Sequence, residues 1–203
     1  VLRFKDHEKL AHYAKEACDI EFKFPFGFGE LWGTHNRTNF DLSRHQEYSK
    51  KSMEYLDPET NEKYIPYVVE SSVGCDRLTL ALLCNAYDEE VLEDGSTREV
   101  MHFIPALAPY KVAILPLMKK YHQDKAREIY GKISKYFMAT YDETGNIGKR
   151  YRRQDVIGTP YCVTIDENTL NNNTVTVRDR DTMEQITISV DELIDYISSK
   201  VRF

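Results

Sequence analysis

A carboxylate interrupts an apolar stretch of the chain, YVVESSVG, whose composition predicts a buried strand. Side chains alternate along a strand, so Glu70 and Ser72 are predicted on one face and Val69 and Ser71 on the other. Burial of an unpaired carboxylate is too costly, so Glu70 needs a cationic partner. The residues by themselves favour an internal ion pair, and a bound ligand ammonium group is the alternative.

The residues after this strand form a predicted strand-to-helix junction. Gly74 permits close backbone approach, Asp76 can cap the helix that follows, and a helix amino terminus favours anions. Arg77 adds a bidentate donor suited to phosphate. The Gly-x-Asp-Arg string is weak alone, because an arginine in the first turn of a helix is usually a surface residue. The same holds for Glu30 and Arg37 in GELWGTHNR.

A basic cluster, KRYRR, places four cations around one aromatic residue in the second half of the chain. The cations are Lys149, Arg150, Arg152 and Arg153. Such a cluster can bind phosphates locally although the formal net charge of the chain is -6. The competing interpretation is a solvated helix face, which is the more common fate of a charge run.

Cysteines and histidines give no metal or disulfide signal by spacing. The four cysteines are scattered without a CxxC pair, and the six histidines show no pairing at ligand or triad spacing. We therefore expect no metal site among the side chains and a reducing, cytoplasmic environment. No apolar run approaches the roughly 20 residues that a membrane-spanning helix needs, so we expect no membrane association.

The first half of the chain contains the elements that must position Glu30, Glu70 and Arg77. Residues 5–18 have the period of an amphipathic helix, DIEFKF alternates like a strand, and the glycines of PFGFGELWG predict a turn. Asp57–Lys63 is predicted to be a hairpin loop. DRLTLALLCNAY is apolar around most of its circumference, which predicts a largely buried helix.

The second half of the chain has an alternating pattern. Residues 88–102 predict an acidic linker or hairpin, and the prolines of IPALAP predict a domain boundary, so we divide the chain into domains 1–103 and 104–203. Beyond it the element order β-α-β-α-β-β-β-α predicts a compact α/β domain with a mixed sheet. The predicted fold class is therefore α/β and α+β.

Four segments then resemble signature stretches of bacterial glycyl-tRNA synthetases, in the order and spacing of that family. The similarity covers essentially the whole chain, and four stretches that agree are far more specific than any single motif. The segments are GELWGTHNRTNFDLSRH, YVVESSVGCDRLTLALL, DETGNIGKRYRRQDVIGTPYCVTID and TVTVRDRDTMEQ.

The resemblance implies the end of a class II antiparallel catalytic domain, with motif 3, followed by an anticodon-binding domain. Arg77 would be the catalytic arginine on the terminal phosphate of ATP. The residues implied for ATP are Glu30, Leu31, Gly74, Cys75, Asp76 and Arg77. Those implied for glycine are Arg37, Glu70, Ser71, Ser72, Val73 and Gly74, where Ser71 replaces the proline usual in the family. Those considered for tRNA are Lys149, Arg150, Arg152, Arg153, Arg178 and Arg180.

The implied activity of the full-length enzyme is ATP-dependent ligation of glycine to tRNA(Gly). ATP is the substrate, Mg²⁺ accompanies it, and attack of the glycine carboxylate on the α-phosphate requires positive charge where negative charge develops. The implied partners are glycine, ATP, tRNA(Gly) and a second copy in a homodimer, with no DNA and no membrane.

Two class II signatures are absent from this chain, the Phe-Arg-x-Glu string of motif 2 and the dimer helix of motif 1. The first residue, Val1, opens directly into an apparent helical pattern, so we expect the chain to be the carboxy-terminal portion of a longer protein that is inactive alone. The alternative is a non-catalytic nucleic-acid-binding relative, similar to the accessory subunit of mitochondrial DNA polymerase. Such a protein has no reason to keep Glu30, Arg37, Glu70, Ser72 and Arg77, which favours the enzyme.

Overall fold

A computed structural model describes residues 1–202 of the chain, in two compact units. The first unit is Val1–Cys84 and the second begins at Asn85. The predicted boundary near residue 103 lies later, and the difference consists of an acidic hairpin that packs within the second unit. That the catalytic domain ends at residue 103 stays a prediction.

The first unit contains a four-stranded antiparallel sheet with the strand order β1-β2-β3-β6. The helix predicted over residues 5–18 is wrong, because β1 ends at Asp6, a loop follows, and β2 begins at Glu16. The two strands pair from Leu2 opposite Phe22 to Asp6 opposite Cys18. Pairing between strands satisfies the backbone groups and overrides the local helical period. The four strands are β1 (Leu2–Asp6), β2 (Glu16–Phe24), β3 (Gly27–Asn36) and β6 (Val69–Val73).

The glycine-rich segment continues the sheet instead of leaving it. Only Pro25 and Phe26 form a turn, and β3 begins at Gly27, whose φ of 113° suits a residue without a side chain. The pairing of β2 with β3 contains a bulge, in which Ile20 lies opposite Trp32 but Glu21 lies opposite Glu30. The bulge therefore inserts Leu31 between two paired positions.

The remaining elements of the first unit surround this sheet. The hairpin predicted around Asp57–Lys63 is confirmed, whereas the first helix of the unit was not predicted. The elements are α1 (Phe40–Ser49), β4 (Tyr55–Leu56), β5 (Lys63–Tyr64) and α2 (Cys75–Ala86), which extends two residues beyond the unit.

The α2 helix is much less buried than its sequence predicts. Its Ala81 packs with Phe22 and Phe24 in a small apolar cluster. Leu80 and Leu83, by contrast, are 39% and 43% exposed. Within residues 1–202 the helix is therefore not largely buried as predicted, because its apolar cluster involves only the side that carries Ala81 and Cys84.

The second unit follows the predicted order of strands and helices and adds one short helix, α5. Its acidic region is a hairpin, as one of the two sequence interpretations proposed. The elements are β7 (Tyr87–Val91), β8 (Thr97–Met101), β9 (Val112–Pro116), α3 (Lys119–Ile133), β10 (Ala139–Tyr141), α4 (Ile147–Ile157), β11 (Tyr161–Ile165), α5 (Glu167–Asn172), β12 (Thr174–Asp179), β13 (Gln185–Ser189), a 3-10 turn (Val190–Glu192) and α6 (Leu193–Lys200).

The predicted mixed sheet of the second unit is confirmed. Its order is β10-β9-β11-β12-β13, with parallel pairs at β10, β9 and β11 and antiparallel pairs beyond. All five residues of β9 are buried, since apolar side chains cover both faces of the strand. Val112 and Ile114 pack in the larger apolar cluster, and Ala113 packs in a smaller cluster with residues of α4. Across residues 1–202, no helix has the length and apolar character that crossing a membrane requires.

Candidate ligand-binding surfaces

A surface cavity of about 390 Å³ lies where β6 ends and α2 begins. Antiparallel pairing of β3 with β6, which sets Trp32 opposite Val73, brings the bulged part of β3 beside this junction. Arg77, in the first turn of α2, donates from Nη1 to the carbonyl oxygen of Glu30 at 2.6 Å. The lining residues are Glu30, Leu31, Gly74, Cys75, Asp76 and Arg77, the same six that the sequence resemblance implies for ATP.

This cavity combines the features that bind an anionic ligand. A guanidinium group lies at its edge, and the amino terminus of a helix of 12 residues contributes unpaired backbone N–H groups. The carboxylates of Glu30 and Asp76 supply the opposite charge, which suits a ligand that carries phosphates with a divalent cation. Nucleotide binding at these residues stays a prediction.

Glu70 forms an internal ion pair with Arg37, the arrangement that the residues alone favour. Arg37 donates from Nη1 to Glu70, and from Nε and Nη2 to Asp41 at 2.5 and 3.1 Å. These hydrogen bonds, first to Asp41 and then to Glu70, raise the pKa of Arg37 above its ordinary value. The hydrogen bond from Arg37 in turn lowers the pKa of Asp41. Asp41 was not among the residues singled out from the sequence, although it lies only four residues after Arg37, in the first turn of α1.

The residues implied for glycine do not all share one face. The register of β6 sets Glu70 opposite His35 and Ser72 opposite Gly33, so these two side chains share a face, as predicted. Ser71 lies on the other face, where it accepts a hydrogen bond from Nε1 of Trp32 at 2.6 Å. The side chain of Ser71 thus points away from the face of Glu70 and Ser72, and a contact between Ser71 and glycine stays a prediction.

Glu70 and Ser72 are also not among the residues that line the cavity at Arg77. The implied attack of the glycine carboxylate on the α-phosphate of ATP requires the two ligands to bind side by side. In the structure Glu70 pairs with Arg37 at one end of β6, whereas Arg77 follows the other end. The residues implied for glycine and those implied for ATP are thus neighbours along β3 and β6. That they line one shared cavity stays a prediction.

Three arginines considered for tRNA binding are buried in the second unit. Arg150 is 3% exposed and donates to the backbone carbonyls of Pro116 and Gly145. Arg178 is 6% exposed and donates to Asp155, while Arg180 is 2% exposed. Their predicted contact with tRNA does not fit this burial, because a phosphate oxygen cannot reach a guanidinium group enclosed in the unit.

Arg180 is held by the backbone of its surroundings and by its neighbour. It donates to the carbonyl oxygens of Gly158 and Phe103, each at 2.8 Å, and to the carboxylate of Asp181 at 2.7 Å. Its guanidinium therefore stabilises the fold of the second unit. The exposed members of the basic cluster are Lys149 and Arg153, and Arg152 is half-buried. Arg153 donates to Asp142 at 2.5 Å.

Asp155 is the buried charge that sequence reasoning missed. It is fully enclosed and accepts hydrogen bonds from Arg98 at 3.0 Å and from Arg178 at 2.8 Å. In α4, Ile147 and Tyr151 are half-buried and Asp155 is buried, at a spacing of four residues. That period was a signal in the sequence that the carboxylate of Asp155 points to the core.

Two groups of side chains in the described residues have the composition of metal ligands. His7, Asp19 and His35 converge in the first unit, and Asp88, Glu90 and His102 converge in the second. Neither group was recognised from spacing, because pairing between segments distant in the sequence brings each histidine to its carboxylates.

Comparison with known proteins defines the class of the second unit. Residues 111–200 match the family model described as an anticodon binding domain. The chain therefore carries an anticodon-binding domain, as the sequence resemblance implied.

Over its whole length the chain is similar to glycine–tRNA ligases. It is 59% identical over 204 aligned residues to the glycine–tRNA ligase of Clostridium tetani, and 57% identical to that of Geobacillus kaustophilus. The resemblance to bacterial glycyl-tRNA synthetases is thus confirmed. In each case the alignment covers all of this chain and 44% of the relative, so the chain spans less than half of the length of these ligases.

Proposed function

We propose that this chain is part of a cytoplasmic, homodimeric glycine–tRNA ligase that activates glycine with ATP and transfers it to tRNA(Gly). The observation that carries the proposal is the identity of 59% along the entire chain, which extends through both units. The first unit would then be the end of a class II catalytic domain.

The nucleotide would bind in the cavity at the start of α2. Arg77 would hold the terminal phosphate of ATP, and the helix amino terminus would add favourable dipoles. Mg²⁺ would reach the site bound to the phosphates of ATP. The carboxylates that line the cavity would contribute further oxygen ligands to it. Glu30 and Asp76 are the two that line it.

The amino-acid site would include the ion pair of Arg37 with Glu70. Glycine is a zwitterion, so its ammonium group can replace Arg37 as the partner of Glu70, while its carboxylate binds the guanidinium. Such an exchange keeps every charge paired, which avoids the cost of a desolvated, unpaired carboxylate. Asp41 would continue to orient Arg37 during the exchange, because it holds two other guanidinium nitrogens.

The anticodon-binding domain would supply the RNA contacts. Of the cations considered from the sequence, Lys149, Arg152 and Arg153 are the ones with exposed or half-buried side chains. They extend from α4, one of the helices that cover the mixed sheet. The net charge of -6 makes a local cluster necessary for attraction to RNA.

Titration of the 203-residue chain with Mg-ATP tests the nucleotide site. Arg77→Ala is expected to weaken binding about tenfold or more, since a charged hydrogen bond contributes about 1.5–3 kcal/mol. Arg44→Ala is the matched control, because Arg44 belongs to the same unit and forms its ion pair with the exposed Glu47. Equal affinities of the Arg77→Ala variant and the unchanged chain would refute the nucleotide site.

Pyrophosphate exchange tests whether this chain can activate glycine without motifs 1 and 2. The chain lacks motifs 1 and 2, so we expect no glycine-dependent exchange from it alone and normal exchange from the full-length protein. Exchange by the isolated chain would contradict the first expectation. A full-length protein that binds DNA as tightly as tRNA and lacks exchange would favour the non-catalytic relative.

A further inference from the structure

Two histidines and an aspartate meet on one face of the sheet of the first unit. The ligand atoms of His7, Asp19 and His35 all lie within 4.8 Å of one another. Nε2 of His7 is 2.8 Å from Oδ2 of Asp19, and the two imidazole rings meet edge to face with centroids 5.8 Å apart. Three segments of the sheet region contribute one side chain each.

Strand pairing explains why these side chains converge. The backbone N–H of His7 donates to the carbonyl of Ala17 at 3.0 Å, and Ala17 pairs with His35 on its other side. Asp19 lies two residues along β2, on the same face, opposite Gly33. The two positions between the functional side chains, Ala17 and Gly33, thus carry small residues.

Gly33 makes the close approach of the cluster possible. A Cβ atom at this position would lie 3.0 Å from Cε1 of His35 and 3.4 Å from Oδ1 of Asp19. Because the first distance is tighter than ordinary packing, any larger residue would displace the imidazole from the cluster. The absence of a side chain at Gly33 therefore allows His35 and Asp19 to lie close together.

The cluster contains buried polar atoms whose hydrogen bonding is incomplete. Asp19 is 7% exposed, and within residues 1–202 its Oδ1 has no hydrogen-bond partner. Nε2 of His7 is close to Asp19 but lacks the geometry of a hydrogen bond. A buried carboxylate oxygen without a partner costs free energy, so the arrangement favours a bound cation that uses these lone pairs.

We propose that His7, Asp19 and His35 bind a divalent transition-metal ion of the zinc class. Two imidazole nitrogens and one carboxylate oxygen are ligands that zinc prefers, with water in the remaining position. Zinc bonds to these ligands of roughly 2.0–2.2 Å set neighbouring donors roughly 3.3 Å apart, so small rotations of the side chains complete the site. None of the three ligands lines the proposed nucleotide cavity, although Oε1 of Glu30, which does line it, would lie 3.6 Å from a Cβ atom at Gly33. The proposal does not depend on the ligase assignment.

The second group of potential ligands provides a contrast. In that group Nε2 of His102 lies 2.9 Å from Glu90, and Nδ1 lies 2.6 Å from Asp181. Glu90 also accepts from Arg98 at 2.8 Å. Because His102 and Glu90 already have hydrogen-bond partners, a metal ion is not required to compensate them. His102→Ala therefore serves as a matched control.

Titration of the chelator-treated chain with Co²⁺ tests the proposal, because Co²⁺ replaces zinc and shows visible d–d absorption. We expect saturation at one equivalent and displacement by Zn²⁺ but not by Mg²⁺, which prefers oxygen ligands. His35→Ala and Asp19→Asn are expected to lower the affinity more than about tenfold, and His102→Ala to leave it unchanged.

The thermal midpoint is a second measurement that separates loss of metal binding from misfolding of a variant. Zn²⁺ should raise the thermal midpoint of the unchanged chain and of His102→Ala, since a ligand that binds the folded state stabilises it. His7→Gln keeps much of the side-chain volume and should remove this increase while its circular dichroism stays that of the unchanged chain. Near-ultraviolet thiolate bands with Co²⁺, or unchanged affinity in His7→Gln and His35→Ala, would overturn the proposal.

Discussion

Arg98 and Asp155 meet inside the second unit, where Nε of the arginine donates to Oδ2 of the aspartate at 3.0 Å. Both side chains are essentially unexposed, and Arg178 donates to the same carboxylate. One aspartate therefore compensates two buried guanidinium groups, from strand β8 and strand β12. Arg98 also pairs with Glu90, so the charges form a connected network.

We predict that Asp155→Asn destabilises the second unit by about 3–5 kcal/mol, because removal of one partner leaves buried charges uncompensated. The free energy of unfolding can be measured by urea titration with circular dichroism. Glu128→Gln is the control, since Glu128 forms exposed pairs with Lys125 and Lys132 that contribute less than about 1 kcal/mol. Equal losses in both variants would contradict the structural role of the network.

Glu143 predicts a pH dependence of stability. Hydrogen bonds, first from Lys119 and then from Tyr141, lower the pKa of Glu143 from 4.5 to about 2. A carboxyl group with a lowered folded-state pKa stabilises the protein above its unfolded pKa, and this contribution is lost as the pH falls through the folded value. Glu143→Gln should therefore lose less stability than the unchanged chain between pH 4.5 and about 2. Parallel acid-unfolding curves of the two proteins would show that Glu143 makes no such contribution.

Ser71 predicts a spectroscopic change. The chain has one tryptophan, Trp32, whose Nε1 donates to Oγ of Ser71 at 2.6 Å. Ser71→Ala removes the acceptor, so the tryptophan emission should shift while the free energy of unfolding changes by less than about 1 kcal/mol, because this hydrogen bond is exposed. Ser52→Ala is the control, since Ser52 contacts only its neighbourhood in an exposed loop. An unchanged emission spectrum in Ser71→Ala would exclude the hydrogen bond.

The basic cluster predicts salt-dependent binding of tRNA. Changing Lys149 and Arg152 together to Glu should weaken tRNA binding by the full-length protein. The slope of log affinity against log salt should become shallower by about 0.7–0.9 for each phosphate that is no longer neutralised. Lys132→Glu is the control, because α3 packs on the other face of the mixed sheet from α4. Unchanged affinity in the double variant would assign these cations to a solvated helix face, and Arg150 is unsuitable for such a test because its side chain is buried.

The sequence by itself determined most of the second unit. Its central strands, β9 and β11, read as apolar runs because both faces of a largely parallel sheet are buried, and the helical patterns of α3 and α4 between them mark them as separate strands. The sequence also identified the six residues around the cavity at Arg77, since these belong to local strand and helix signals and to a family signature. Alternation along β6 gave the faces of Glu70 and Ser72 correctly.

Tertiary structure decided what depends on contacts between distant segments. Residues 5–18 carry a helical period, yet both ends of this segment pair in a sheet and the residues between them form a loop. Burial separated Arg150, Arg178 and Arg180 from the exposed cations, because charge alone does not reveal which side chains find partners inside the fold. Strand register likewise brought His7, Asp19 and His35 together, a cluster whose members have no shared spacing along the chain.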